Sequence, residues 1–515
     1  MAEKNGKINY KRTFLIGFGF LSCMLLWSVY NSYIPVILRG KLSALFAANG
    51  GAVANYIAEH PAMSWLSVAL IVNAIMTIDN IFGVIFQPFF GKKSDRTYTK
   101  LGKRMPYILI CMPICAVFFC LIPVVATAKS IGLSILLMMS VIILFNFTMS
   151  IWRSPVVSLM PDFTPSHLQS DANAVINIMG GIGQMVGFVV GTLTSALAAV
   201  LGFTAISSSL KADTNDLGEI VDEAGNLILK NGQPQYVDYT PVFIVTAVIA
   251  VICIGVLAVF YVRNKRYDLS ANAGIENANK EQGKKQKIKI KELPITKEER
   301  KSLIIMLATL FLINNATEAI IPNFTNFANK TLKVAPIYST LMMAVFAVSL
   351  ALFGIPAGIM GRKLGRKKTI VIGLISVISM FALYLAVSQI MPLGADGSVN
   401  KVTWITLWIA VVVGGAAIGC ININTLPLVL AIGGREYVGT FTGYYYTATF
   451  SAAVTGPILC GLVIGLFKED YNFMFLFCAI MFLLGLIVIK GVHHGEMSKD
   501  EDSSWLDEAV EQAAD

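Results

Sequence analysis

Three charged residues stand inside long apolar runs: Asp79, Arg153 and Glu318. A charge at membrane depth is costly unless internal partners satisfy it, so each is a functional candidate. Asp79 lies near the middle of its run, roughly 13 Å from Pro88 at 1.5 Å per residue. A carboxylate there can load and release a proton; the competing role is an ion-paired or neutral aspartate that only fixes packing. Glu318 follows Asn314, Asn315 and Thr317 about 17 residues into its run, and precedes Pro322-Asn323, which would equally suit a wet position near the surface. Arg153 shares one helical face with Asn146 and Ser150. Its planar fork can hold a carboxylate or substrate hydroxyls, or it can snorkel to an interfacial ion pair.

Neutral polar groups recur in the same runs. Asn73, Asn80 and Gln87 are spaced seven apart on one stripe. Tyr30 and Asn31 lie between Trp27 and Tyr33, and Asn177 lies between Asn173 and Gln184. Asn422 and Asn424 precede Pro427, and Tyr445 sits in a run of three tyrosines. Amides bond hydroxyls, and aromatic faces stack on the C–H faces of pyranose rings. The set suits a neutral sugar better than a dianion or a lipophilic cation. Each residue alone fits equally well as an inter-helix hydrogen bond.

The elements that must position these groups are transmembrane helices. Of 515 residues, 56% are hydrophobic and 14% charged, with a mean hydropathy of +0.68, against about 25% charged in average soluble domains. About 20 apolar residues cross a ~30 Å core. That length places twelve spans at 13–38, 65–90, 106–127, 131–160, 171–201, 241–262, 301–325, 337–360, 369–391, 403–431, 437–466 and 472–491. The first run is long enough to span and carries no cleavable signal pattern. The net charge of +9 is concentrated in alternate loops. It therefore reports orientation, with both termini cytoplasmic, and argues against nucleic acid as a partner. All eight cysteines lie in apolar runs, which predicts free thiols and no metal site. The four histidines never pair within a span, and no phosphate-binding Walker motif exists, so neither an enzyme nor a cofactor is expected. Gly183, Gly187 and Gly191 have the spacing of a close helix contact, not of a nucleotide loop.

Between the spans, residues 39–64 leave room for a short helix, and Asn231-Gly232 predicts a small hairpin near 226–237. The lysine-rich segment 263–300 reads as a linker. It divides a six-span half, 1–262, from a second, 301–491, ahead of an acidic tail, 492–515. A cytoplasmic cluster of Asp95, Arg96, Arg104 and Asp162 reads as an ion-paired gate of weak, reversible bonds. The loop Gly91–Arg104, GKKSDRTYTKLGKR, has a counterpart at Gly358–Lys368, GIMGRKLGRKK, the mark of a parallel duplication.

That repeated glycine-led basic loop resembles the major facilitator superfamily. QPFFGKKSDRTYTKLGKRMPYI and WRSPVVSLMPD resemble the corresponding segments of its sucrose-transporter-like branch, related to the glycoside–pentoside–hexuronide symporters. WSVYNSYIP, NATEAIIPNF and ININTLPLV resemble segments of bacterial members. The resemblance implies an all-α fold of twelve helices in two pseudo-symmetric six-helix bundles. It also implies a plasma-membrane monomer that takes up a sugar, a di- or oligosaccharide, by alternating access with H⁺ or Na⁺, H⁺ being preferred. Asp79 and Glu318 then bracket the site from opposite halves, and Arg153 matches a helix-four arginine of the superfamily. Two positions depart from the pattern. Arg362 stands where the second loop has aspartate, and Asn146 stands where plant members carry a coupling aspartate. Export of another small molecule and sugar sensing without transport are the competing functions.

Overall fold

The structure is a computed structural model that describes residues 10–48, 67–95, 97, 99–128, 130–164, 169–215, 219–222, 226–230, 233–265, 295–390, 400–433 and 438–494. The linker 266–294, the tail from 495, and the side chains of Asp95 and Asn177 lie outside the described residues, as does Arg96.

Twelve membrane-length spans are present among them. They are α1 (Tyr10–Ala48), α2 with α3 (Val68–Met76 and Ile78–Asp95), α4 (Met105–Ala126), α5 (Ile131–Phe163) and α6 (Gln169–Val200). After the short α7 (Thr204–Lys211) follow α8 (Thr240–Asn264), α9 (Lys297–Lys330), α10 (Pro336–Leu364) and α11 (Arg366–Ile390). The last α-helices among the described residues are α12 (Lys401–Gly433), α13 (Val438–Leu466) and α14 (Asn472–Val488). Helix starts follow from local chemistry. Ser67 caps α2 by accepting from the Leu70 N–H at 3.1 Å. Thr296 and Glu299 form a reciprocal capping box on α9. Pro336 occupies the first turn of α10, where its missing N–H costs nothing. Helix α1 runs ten residues past its expected end at 38, to Ala48. Helix α5 is 33 residues long, about 50 Å at 1.5 Å per residue, so it must tilt or project from the bilayer.

The even span count puts Tyr10 and Gly491 on one face, called here the terminal face; the other is the far face. Far-face residues after α7 form two short antiparallel pairs, Asp213–Thr214 with Ile220–Val221 and Leu229–Lys230 with Gln233–Pro234. The second pair brackets Asn231-Gly232, whose own placement lies outside the described residues.

Two buried apolar clusters define two six-helix bundles. The first centres on Phe119, whose ring is tilted against Phe243 at 4.5 Å and Phe145 at 5.5 Å, and it includes the fully buried Trp152. The second centres on Phe475, 4.9 Å from Phe327 and 4.7 Å from Tyr384. Large apolar side chains such as Leu136, Ile252 and Leu352 are exposed on the outer surface, which suits hydrocarbon as solvent. Glycines let helices touch within each bundle. A Cβ at Gly187 of α6 would stand 2.6 Å from Ser28 Cβ and 2.9 Å from the Leu25 carbonyl of α1. In the second bundle, a Cβ at Gly456 of α13 would meet the Asn315 carbonyl of α9 at 2.5 Å. The same helix pairing, fifth on first, is thus built the same way twice.

Candidate functional site: a polar cavity between the bundles

The second span has a one-residue irregularity at Thr77, between α2 and α3. The Thr77 hydroxyl donates to the Ala74 carbonyl at 2.8 Å, while its N–H keeps the ordinary helical partner, the Asn73 carbonyl, at 3.2 Å. Helix α3 continues from Ile78, with Asp79 in its first turn. An Asp79 carboxylate oxygen accepts the Asn80 N–H at 2.6 Å, and the residue is 6% exposed.

Asp79 borders a cavity of about 320 Å³ between the bundles. Helix α1 contributes Trp27, Ser28 and Asn31, α3 contributes Asp79 and Asn80, α5 Arg153, and α6 Gln184 and Phe188. From the other bundle come Glu318 and Pro322 on α9, and Tyr446, Thr449 and Phe450 on α13. The Arg153 guanidinium lies over the Trp27 ring, 4.2 Å from its centre. A guanidinium is weakly hydrated and stacks well on indole, so the contact holds the cation in the cavity without closing an ion pair. The three charges far apart in sequence thus share one chamber with amides and aromatic faces.

The other amides expected at the site are placed differently. Asn73 and Asn323 donate to each other's carbonyl oxygens at 2.9 and 2.7 Å, joining α2 to α9. Asn146 donates to the Tyr30 hydroxyl at 3.1 Å, and both side chains are buried away from the cavity. Asn315 accepts from the Thr455 hydroxyl at 2.9 Å. Asn424 donates to the Ala357 carbonyl at 3.2 Å, Tyr445 stands 3.5 Å from the Thr425 hydroxyl, and Asn422 is exposed. The Gln87 amide lies against Gly83, outside the cavity wall. Ser28, Thr449 and Phe450 line the cavity and were not expected there. Ser28 precedes Asn31 by three residues and Thr449 follows Tyr446 by three, so helical neighbours of the named residues were the available signal.

At the terminal face, Arg104 Nε bonds Asp162 at 2.9 Å, and a second guanidinium nitrogen reaches the Ser94 hydroxyl at 2.5 Å. Only 9% and 12% of the two paired side chains are exposed, so this is a buried pair, not the exposed one expected. It ties α3, α4 and α5 together at the terminal face; the Asp95 side chain and Arg96, the other members of the expected gate, lie outside the described residues.

The bundles meet at the far face. Helix α13 packs closely along the short α2 and touches α3 at few places. A Cβ at Gly461 would stand 3.0 Å from the Ala69 carbonyl. Asn329 of α9 donates to the Thr214 hydroxyl at 2.9 Å, and Arg39 of α1 lies 5.6 Å over the Tyr471 ring. The Asn80 amide reaches the Ala453 carbonyl at 3.3 Å near the cavity.

Two six-helix bundles that close on one another at one face, around a polar chamber at mid-depth, define a membrane transporter of the major facilitator type. The sequence matches the family described as MFS/sugar transport protein over residues 15–468. The chain belongs to that family. No curated protein matches it. Solved structures with the same fold include the nucleoside transporter NupG, 14% identical with a TM-score of 0.56, covering 94% of this chain and 99% of that one. A bacterial homolog of the human lysosomal transporter Spinster, inward-facing and occupied, is 10% identical with a TM-score of 0.57, covering 94% and 97%. A peptide transporter POT in complex with alafosfalin is 12% identical with a TM-score of 0.57, covering 93% and 94%.

Proposed function

We propose that the protein is a plasma-membrane symporter that carries a sugar, a di- or oligosaccharide, together with a cation, H⁺ being preferred, by alternating access. The observation that carries the reading is the placing of Asp79, Glu318 and Arg153 in one chamber with Asn31, Asn80 and Gln184. Amides and hydroxyls fit sugar hydroxyls, while Trp27, Tyr446 and Phe450 offer faces for the C–H side of a pyranose. A chamber of about 320 Å³ falls at the lower end of the ~300–1,000 Å³ usual for small-molecule sites. With two carboxylates ionised and one guanidinium charged, the chamber carries one net negative charge. One bound cation neutralises it and leaves a site suited to an uncharged solute.

Lysines and arginines mark the terminal face as cytoplasmic: Lys93 lies near the end of α3 with Lys100 and Lys103 after it, Lys363 lies near the end of α10, and Arg366, Lys367 and Lys368 open α11. The bundles then close on the outside, in an inward-facing state, with residues 1–262 and 301–491 as the two rocking halves and 263–300 as their linker. Buried Arg104–Asp162 stiffens the first half as it rocks. The test is uptake of a panel of labelled sugars into proteoliposomes under an imposed H⁺ or Na⁺ gradient; accumulation against a sugar gradient supports the reading, and no uptake of any sugar refutes it. A second reading, export of a more apolar solute, draws on the cavity's Met24, Met76, Phe188 and Ile321. The same panel with amphiphilic solutes separates the two.

A further inference from the structure

The turn between α13 and α14 is built around an unusual backbone. Lys468 and Glu469 both adopt left-handed φ, +57° and +60°, a conformation that non-glycine residues rarely hold and that collects at switch regions. The Glu469 N–H bonds back to the Ile464 carbonyl at 2.9 Å, and the Phe467 and Phe473 rings stack 3.8 Å apart at 7°, clamping the turn. The result of this backbone is directional: it carries the Glu469 carboxylate across to the other bundle. There one oxygen accepts the Ala69 N–H at 3.3 Å, at the buried start of α2, while the second pairs with Lys330 of its own bundle at 3.4 Å. The start of a helix is where free N–H groups and the dipole both attract an anion. Helix α2 is nine residues long, its Met76 lines the cavity, and it leads directly into Asp79, so what holds its start also bears on the wall of the cavity.

We propose that the turn Phe467–Asp470 is a latch, in which Glu469 holds the far face closed by gripping the start of helix α2 of the other bundle. Rocking apart of the bundles requires the carboxylate to leave Ala69, and the left-handed turn relaxes when it does. The other far-face joints, Asn329–Thr214 and Arg39–Tyr471, open in the same movement. The consequence for transport rests on the alternating-access reading; the latch itself does not, and the experiment needs no sugar.

Hydrogen–deuterium exchange is measured on the full-length protein in lipid nanodiscs, comparing wild type, Glu469→Gln and Lys330→Gln. In Glu469→Gln, exchange should rise about tenfold or more throughout α2, the loss expected for a hydrogen bond to a charged group. It should also rise at the far-face end of α9 and in the strand holding Thr214, while α4 stays unchanged. Lys330→Gln should move the same segments less, and it decides the matter alone should Glu469→Gln not fold. Unchanged exchange in α2, or a rise confined to its first turn, would overturn the latch, since a simple helix cap affects only that turn. Failure of sugar uptake with this exchange pattern intact would count against the transport reading and leave the latch standing.

Discussion

At the scale of single residues, the charged trio divides the work of the cavity. Asp79→Asn keeps the size and the polar surface but removes the titratable charge. Accumulation of sugar should be lost while downhill exchange of labelled for unlabelled sugar continues, as read in proteoliposomes. Trp27→Ala removes the shelf beneath Arg153, a contact worth ~2 kcal/mol when desolvated, together with one stacking face for the solute. Sugar affinity by calorimetry should fall by about tenfold or more, with Trp27→Phe losing less. The charges were legible in the sequence because a charge in an apolar run has no cheap structural use. The amides were not. Asn73, Asn146, Asn315 and Asn424 each donate to the carbonyl four residues earlier, at 2.7–3.1 Å. An asparagine satisfied by its own helix needs only one further partner, and residue type alone does not say whether that partner is a solute or another helix.

At the scale of elements, packing turns on a few close approaches. Gly187→Val would drive a branched side chain into Ser28 and the Leu25 carbonyl. Overpacking of this kind costs about 1–3 kcal/mol or more, so the thermal midpoint of the purified protein should drop. Arg104→Ala would remove the 2.9 Å ion pair with Asp162, whose side chains are only 9% and 12% exposed, so the protein should lose stability by an amount up to the ~3–5 kcal/mol of a broken buried pair. The double variant Arg104→Ala with Asp162→Asn should recover part of the lost stability, as a thermal melt would show. The glycine stripe on α6 was readable from spacing, because small residues every four positions place backbone against backbone. The one-residue irregularity at Thr77 was not, since no proline or glycine marks it and the hydrophobic pattern continues through it. The far-face end of α1 was also misjudged, because a helix extends into water wherever local propensity and caps allow it.

For the whole molecule, the twelve spans and the duplicated basic loop were enough to expect two bundles, and the structure has two buried cores, one per bundle. What sequence could not supply was the conformation. Which face is closed depends on contacts between residues hundreds apart, such as Ala69 with Glu469 and Asn73 with Asn323, and such a pairing leaves no periodic trace. The central claim is that one cation and one sugar move together through the chamber between the bundles. It is tested most directly by recording sugar entry and internal pH, or Na⁺ entry, in the same proteoliposomes, for wild type and Asp79→Asn. The account predicts that sugar added outside brings the cation in with it, and that Asp79→Asn abolishes this coupled flux while sugar exchange persists. Sugar that enters wild-type vesicles with neither cation, or that binds without entering at all, would contradict it.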